Sequence, residues 1–256
     1  MAAISPTTFA IQRSKDRACF DHGWLQTCHS FSFADYFDPH NLNWGALRVL
    51  NDDVIQAGEG FPTHPHRDME IITYVLEGKL EHRDSTGSHG VVGPGGAQFM
   101  SAGTGIRHSE FNGSKTERLH LIQMWVIPGK RGMPPSYGQV EFSDADRLNK
   151  LLTIASGRID VSAPVRLTQD AAFYASRVES GHHVRHVFES ERLGFLFVAD
   201  GTARVQARDY NDNLVSDEKL QAGDAVRMRN LTHVTLEGPA LFVLWDVPEV
   251  TEAGDA

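Results

Sequence analysis

Four side chains in this 256-residue chain have the types and spacing of a metal-ligand set: His64, His66, His108 and Glu110. His64 and His66 stand two apart in GEGFPTHPHRDME (58–70). An extended strand sends alternate side chains to one face, so both imidazoles can reach one point inside a small β-barrel. Pro65 between them has no amide hydrogen and belongs at a strand edge or in its first residues. His108 and Glu110 repeat the spacing in SAGTGIRHSEFN (101–112), entering a strand behind Gly103 and Gly105. Three neutral imidazoles and a carboxylate suit Fe(II), Mn, Co, Ni, Cu or Zn, and suit Ca or Mg poorly. Four protein ligands on a metal that prefers about six positions leave two open. That is the layout of a reactive centre, whereas a structural zinc site closes its shell, usually with Cys. Glu70 lies four residues beyond His66 on the same strand parity. Spacing alone leaves it open as the fourth ligand in place of Glu110, or as an acceptor that orients an imidazole N–H.

The elements that must carry these residues read as strands. EIITYVLEGKLEHRD (70–84), RLHLIQMWVIP (118–128), RLGFLFVADGTARVQARD (192–209) and ALFVLWDVP (240–248) are rich in β-branched and aromatic residues and bounded by Gly, Asp or Pro. Helical periodicity is scarce. SDADRLNKLLTIAS (143–156) predicts one short helix, with Ser143 as its N-cap and Leu148, Leu151 and Leu152 on one face. The two halves echo each other: YVLEGKLEHRD and FVADGTARVQARD, PGGAQFM and AGDAVRM, LIQMWVIP and LFVLWDVP recur in order at offsets of 123, 128 and 120 residues. Three matches in register predict a duplicated β-domain. GKRGMPPSYGQ (129–139) reads as the start of the linker, so the expected domains are 1–135, which holds the metal ligands, and 136–256.

Bulk properties exclude several functions. A net charge of −9 without a basic cluster argues against a general nucleic-acid binder. No run of about 18 apolar residues occurs, so no membrane span is expected. The N-terminus lacks a basic region followed by an apolar stretch, which predicts a cytoplasmic protein. Cys19 and Cys28 could pair, but in a cytoplasmic protein two reduced thiols are the expectation.

At the ligand positions the chain resembles the cupin superfamily. Gly58, His64, His66, Glu70 and Gly78 follow its first motif with one extra residue. Gly105, His108 and Asn112 follow the second, in which Gly103 stands where a proline is usual. HSFSFADYFDP (29–39), LRVLNDDVIQAGEGFPTHPHRDMEIITYVLEG (47–78) and QFMSAGTGIRHSE (98–110) more closely resemble the pirin family, and within it the bacterial pirin-like quercetin 2,3-dioxygenases. The resemblance implies an all-β bicupin of two jelly-roll-type barrels with few short helices. It implies one metal, usually iron, in the N-terminal barrel, and selects Glu110 over Glu70 beside His64, His66 and His108. The implied activity is cleavage of flavonols such as quercetin by O2 with release of carbon monoxide, Glu110 being the candidate proton acceptor. Phe61, Phe99, Met100 and Phe111 flank the ligands and are candidates to line a pocket. The alternative is a non-catalytic pirin-like metal or redox sensor that binds a regulatory partner protein, as animal pirins resemble transcription cofactors. In the second half, aligned on Gly201, the positions matching His64, His66 and Glu70 become Val187, Glu189 and Leu193, and a match of His233 to His108 puts Thr235 in place of Glu110. No metal is expected there, and His182, His183 and His186 read as a solvated loop with one partly buried histidine.

Overall fold

The computed structural model describes residues 6–250. Among them nearly all regular structure is antiparallel β, and no helix is long and apolar enough to cross a membrane. The chain forms two compact units, each built of antiparallel strands.

The first unit comprises Ala18–Phe142 with Pro164–Gln169. Its larger sheet has seven strands in the order Ser136–Val140, Ala97–Ser101, Glu70–Glu77, Leu119–Val126, Leu47–Ile55, Leu25–His29 and Ala18–Asp21. Its smaller sheet has four, in the order Gly60–His66, Ile106–Asn112, Leu80–Asp84 and His89–Val92. Alternation puts one face of each strand inside: Leu47, Val49, Asn51, Asp53 and Ile55 are all buried along Leu47–Ile55. Leu25, Ile55, Val75, Leu80, Leu119 and Leu121 pack one end of the interior, and Met69, Ile71, Met100 and Ile106 another. The Ser136–Val140 strand, which the sequence assigned to the second domain, pairs with Ala97–Ser101 in this unit.

The second unit holds residues 6–17, Ser143–Ala163 and 170–250. Its backbone is the 17-residue strand Arg192–Arg208, whose first half pairs with Ala225–Arg229 and Ala240–Pro248 and whose second half pairs with Leu214–Gln221 and His233–Glu237. The N-terminal strand Thr8–Gln12 belongs here, paired with Ala225–Arg229. Leu196, Phe242, Leu244, Val205 and Leu236 centre its core. The duplication is visible in backbone detail. Gly78 (φ 84°), between two strands, and Gly201 (φ 77°), inside the long strand, occupy equivalent positions with the same left-handed backbone. A Cβ at Gly78 would lie 2.5 Å from the Arg118 carbonyl oxygen, and one at Gly201 2.4 Å from that of Pro239, each just before an equivalent strand.

Two local expectations are corrected. The helix is a single turn, Asp144–Arg147, where the Ser143 amide and hydroxyl donate to the Asp146 carboxylate at 2.8 and 2.6 Å. Leu148 is already extended, Asn149 turns left-handed at φ 55°, and Leu152–Ser156 is a strand paired with Ala172–Val178. Sheet pairing thus overrides the leucine periodicity. Cys19 and Cys28 are joined in a disulfide rather than reduced: they stand directly opposite across the Ala18–Asp21/Leu25–His29 hairpin, with Cα atoms 4.1 Å apart.

Candidate metal centre

His64 and His66 sit on Gly60–His66, at the edge of the four-stranded sheet, which is where Pro65 is tolerated. Opposite them runs Ile106–Asn112, with His108 facing His64. The pairing then slips, so that Glu110 faces Phe61: the Gly60–His66 strand holds an extra residue around Pro62 and Thr63. This bulge lets His64 Nδ1 donate to the Pro62 carbonyl at 2.8 Å, leaving the Nε2 lone pair free.

The three imidazoles converge. His64 Nε2 and His108 Nε2 are 3.0 Å apart, and the ring centroids of His66 lie 4.8 and 4.9 Å from those of His64 and His108. Burial, reinforced by the neighbouring imidazoles, brings His66 and His108 down to about 3, which keeps them neutral donors. Two overlapping groups have ligand atoms within 4.8 Å of one another: His64 with His66 and His108, and His108 with Glu110 and His82. Glu110 is thus gathered with His108 and His82 rather than with the HxH pair.

His82 is a member of the site that sequence reading missed. It is fully buried on Leu80–Asp84, with Nδ1 3.4 Å from His108 Nδ1 and Nε2 3.0 Å from Asp84 Oδ2. Its ring stacks on Tyr137 at 4.1 Å. Burial opposes ionisation of Asp84, but hydrogen bonds from Thr86, His82 and the Ser88 and Thr86 amides outweigh it and hold the carboxyl down at about 2. The ionised Asp84 accepts from His82 Nε2–H. His82 Nδ1 then accepts from His108 Nδ1–H, and the His108 Nε2 lone pair is turned toward His64. The available signal was alternation, since His82 lies two residues after the core residue Leu80.

Glu110 is held from the seven-stranded sheet. Gln123 Nε2 donates to Oε2 at 2.8 Å, Gln98 Nε2 donates to Oε1, and Thr73 Oγ1 lies 3.4 Å from Oε1. Each of these polar residues interrupts an apolar run, AQFM, LIQMW or IITYV, and that was their signal. Glu70 does something else. Asp68, left-handed at φ 46°, resets the strand parity, so Glu70 faces away from Ile71, Thr73 and Val75. Its buried carboxylate accepts the Thr168 and Gln169 amides at 2.7 and 3.2 Å, and burial pushes its pKa up.

The site opens on a cavity of about 400 Å³ lined by His64, His66 and Glu110 together with Phe33, Phe61 and Trp125. Of the four apolar residues flanking the ligands only Phe61 lines it. Met100 is core, Phe99 pairs within the sheet and Phe111 faces outward. Trp125 meets His66 edge-on at 4.8 Å and Phe33 at 5.3 Å. The donor set fits a divalent transition metal: neutral imidazoles with converging lone pairs, a tethered carboxylate nearby, and no competing thiol. In the second unit, His182 and His183 are exposed, while His186 is buried with Nε2 2.9 Å from Asp246.

A two-barrel β fold with this His/Glu group in its first barrel defines a bicupin with a candidate metal centre. The pirin family model matches residues 12–126, and the model of the quercetinase C-terminal cupin domain matches 153–242. The chain is 45% identical over 195 residues to quercetin 2,3-dioxygenase of Escherichia coli K12, covering 76% of this chain and 83% of that protein. It is 44% identical over 194 residues to a pirin-like protein of Caulobacter vibrioides, covering 74% and 83%. The bacterial pirin YhhW of Escherichia coli, solved in complex with nickel(II), superposes with a TM-score of 0.84 at 36% identity, covering 95% of this chain and all of that one. The chain belongs to the pirin family.

Proposed function

We propose that this protein is a metal-dependent dioxygenase that cleaves flavonols such as quercetin with O2 and releases carbon monoxide. His64, His66, His108 and Glu110 hold the metal, with Fe(II) the expected ion. The observation that carries this reading is the junction of the histidine group with the aromatic-lined cavity, whose volume of about 400 Å³ suits a small planar ligand. The quercetin dioxygenase name of the Escherichia coli relative supports the substrate class, and the nickel(II) complex of YhhW supports a divalent ion. When bound, the metal supplies Lewis acidity toward the flavonol 3-hydroxyl and one-electron chemistry toward dioxygen. The chain supplies the rest. Trp125, Phe33 and Phe61 bind and orient the fused rings and exclude water. Glu110, kept in place by Gln98 and Gln123, takes the 3-hydroxyl proton at a carboxylate oxygen.

The test is anaerobic reconstitution with Fe(II), followed by quercetin and oxygen. Loss of flavonol absorbance with release of carbon monoxide is expected. No turnover at one metal per chain overturns the reading, and leaves the metal-sensor role for the same residues. His108→Ala should bring bound metal, measured by elemental analysis, from about one per chain to near zero. Retention of the metal overturns the ligand assignment.

A further inference from the structure

The inner face of the seven-stranded sheet carries a row of polar residues where a barrel interior is normally apolar. Strand register sets His29 opposite Asn51, Asn51 opposite Gln123, Gln123 opposite Thr73 and Thr73 opposite Gln98. The adjacent row on one side is Val49, Trp125, Ile71 and Met100. On the other side Thr27 and Asp53 stand opposite each other, followed by Leu121 and Val75. The near end of the polar row has a task, since Gln123, Thr73 and Gln98 hold Glu110. The far end does not touch Glu110. His29, Asn51, Thr27 and Asp53 instead line the cavity. Asn51 is 2% exposed, and its Oδ1 accepts no hydrogen bond. Burying an unmatched acceptor costs stability, and an apolar residue of similar shape would avoid that cost. A polar group in such a position at a cavity wall is suited to receive a ligand's hydrogen.

We infer that Asn51 and Asp53, flanked by Thr27 and His29, form a hydrogen-bonding subsite, separate from the metal ligands, that takes the phenolic hydroxyls of a hydroxylated aromatic ring. Asn51 Oδ1 and the Asp53 carboxylate are buried acceptors on adjacent rows of one wall, and two ring hydroxyls can donate to them while Trp125 and Phe33 cover the ring faces. The subsite therefore selects polyhydroxylated flavonols over bare ones. As far as the identity of the whole ligand goes, it rests on the flavonol reading above.

Binding is measured anaerobically on the Fe(II)-loaded protein by quenching of tryptophan fluorescence, with quercetin, with 3-hydroxyflavone, which lacks the ring hydroxyls, and with catechol. Wild type should hold quercetin at least tenfold more tightly than 3-hydroxyflavone. Asn51→Leu should weaken quercetin five- to tenfold and leave 3-hydroxyflavone within twofold, with metal content unchanged and Tm unchanged or raised. If Asn51→Leu does not fold, the isosteric Asp53→Asn carries the same readout. Equal affinity of wild type for the two flavonols, or an equal effect of the substitution on both, overturns the subsite and leaves the flavonol reading standing. If neither flavonol binds wild type, the flavonol reading falls and catechol decides: binding that weakens in Asn51→Leu upholds the subsite, and binding that does not, or no binding, overturns it.

Discussion

His108 is the residue on which the two donor groups meet, and its environment explains why it can serve there. One ring nitrogen faces His64 and the other faces His82, which is itself anchored on the ionised Asp84. In the proposed metal site His82 is therefore a positioning residue, which would fix the tautomer and aim of His108 without replacing it. His82→Phe keeps the stacking on Tyr137 but removes the acceptor for His108 Nδ1–H. Its metal affinity, measured by competition with a chelator, should fall 10- to 100-fold, and a change below twofold would show that the ring only packs. A second consequence concerns acid. In the metal-free protein His66 and His108 titrate near 3, against about 6.5 for an unfolded histidine. Between those values the unfolded chain binds more protons than the folded one, so stability falls as the pH drops through that window. The Tm of the apoprotein should decrease from pH 6.5 downward, and should decrease less in His66→Phe. Equal slopes in the two proteins would overturn the assignment of the effect to this pair.

At the scale of elements, small departures from regular strand geometry decide which side chains meet. The extra residue at Pro62–Thr63 changes the pairing from His108 opposite His64 to Glu110 opposite Phe61. The left-handed Asp68 moves Glu70 to the far face, where it binds the Thr168 and Gln169 amides. Neither event is visible to a count of residues, because alternation holds only within an uninterrupted strand. The hairpin carrying Thr27 and His29 is closed by Cys19–Cys28, nine residues apart. Closing so short a loop is worth roughly 2–3 kcal/mol in the chain-entropy description. Cys28→Ser should lose about that much in denaturant unfolding under non-reducing conditions. Unmodified protein should show no reactive thiol, and two titratable thiols per native chain would contradict the pairing.

At the scale of the molecule, the second unit holds a buried ionic network. Asp246, fully buried in the second unit, takes Arg192 Nε at 2.5 Å, His186 Nε2 at 2.9 Å and Arg158 at 3.1 Å. Burial opposes its ionisation, yet the His186 hydrogen bond and the Arg192 charge hold it below the ordinary carboxylate range. Removing one partner of a buried ionic network leaves the other charges uncompensated. Asp246→Ala should therefore cost about 3–5 kcal/mol in urea unfolding. A loss under about 1 kcal/mol would mean that the network is solvated when the chain is folded.

The sequence by itself determined the all-β class, the duplication and the two short motifs that bring His64, His66, His108 and Glu110 into one barrel. These rest on local periodicity and on spacing within single strands, which survive translation from chain to fold. The family resemblance pointed to Glu110 over Glu70, while the reason Glu70 turns away became visible only in the backbone at Asp68. Tertiary structure alone decided the rest: His82 behind His108, the Gln98–Thr73–Gln123 cradle under Glu110, the Asn51–Asp53 wall of the cavity, and the strand at 152–156 in place of a longer helix. Each depends on which residues lie opposite one another across strands distant in sequence. That register is set by bulges, left-handed turns and sheet order, which composition and periodicity do not encode.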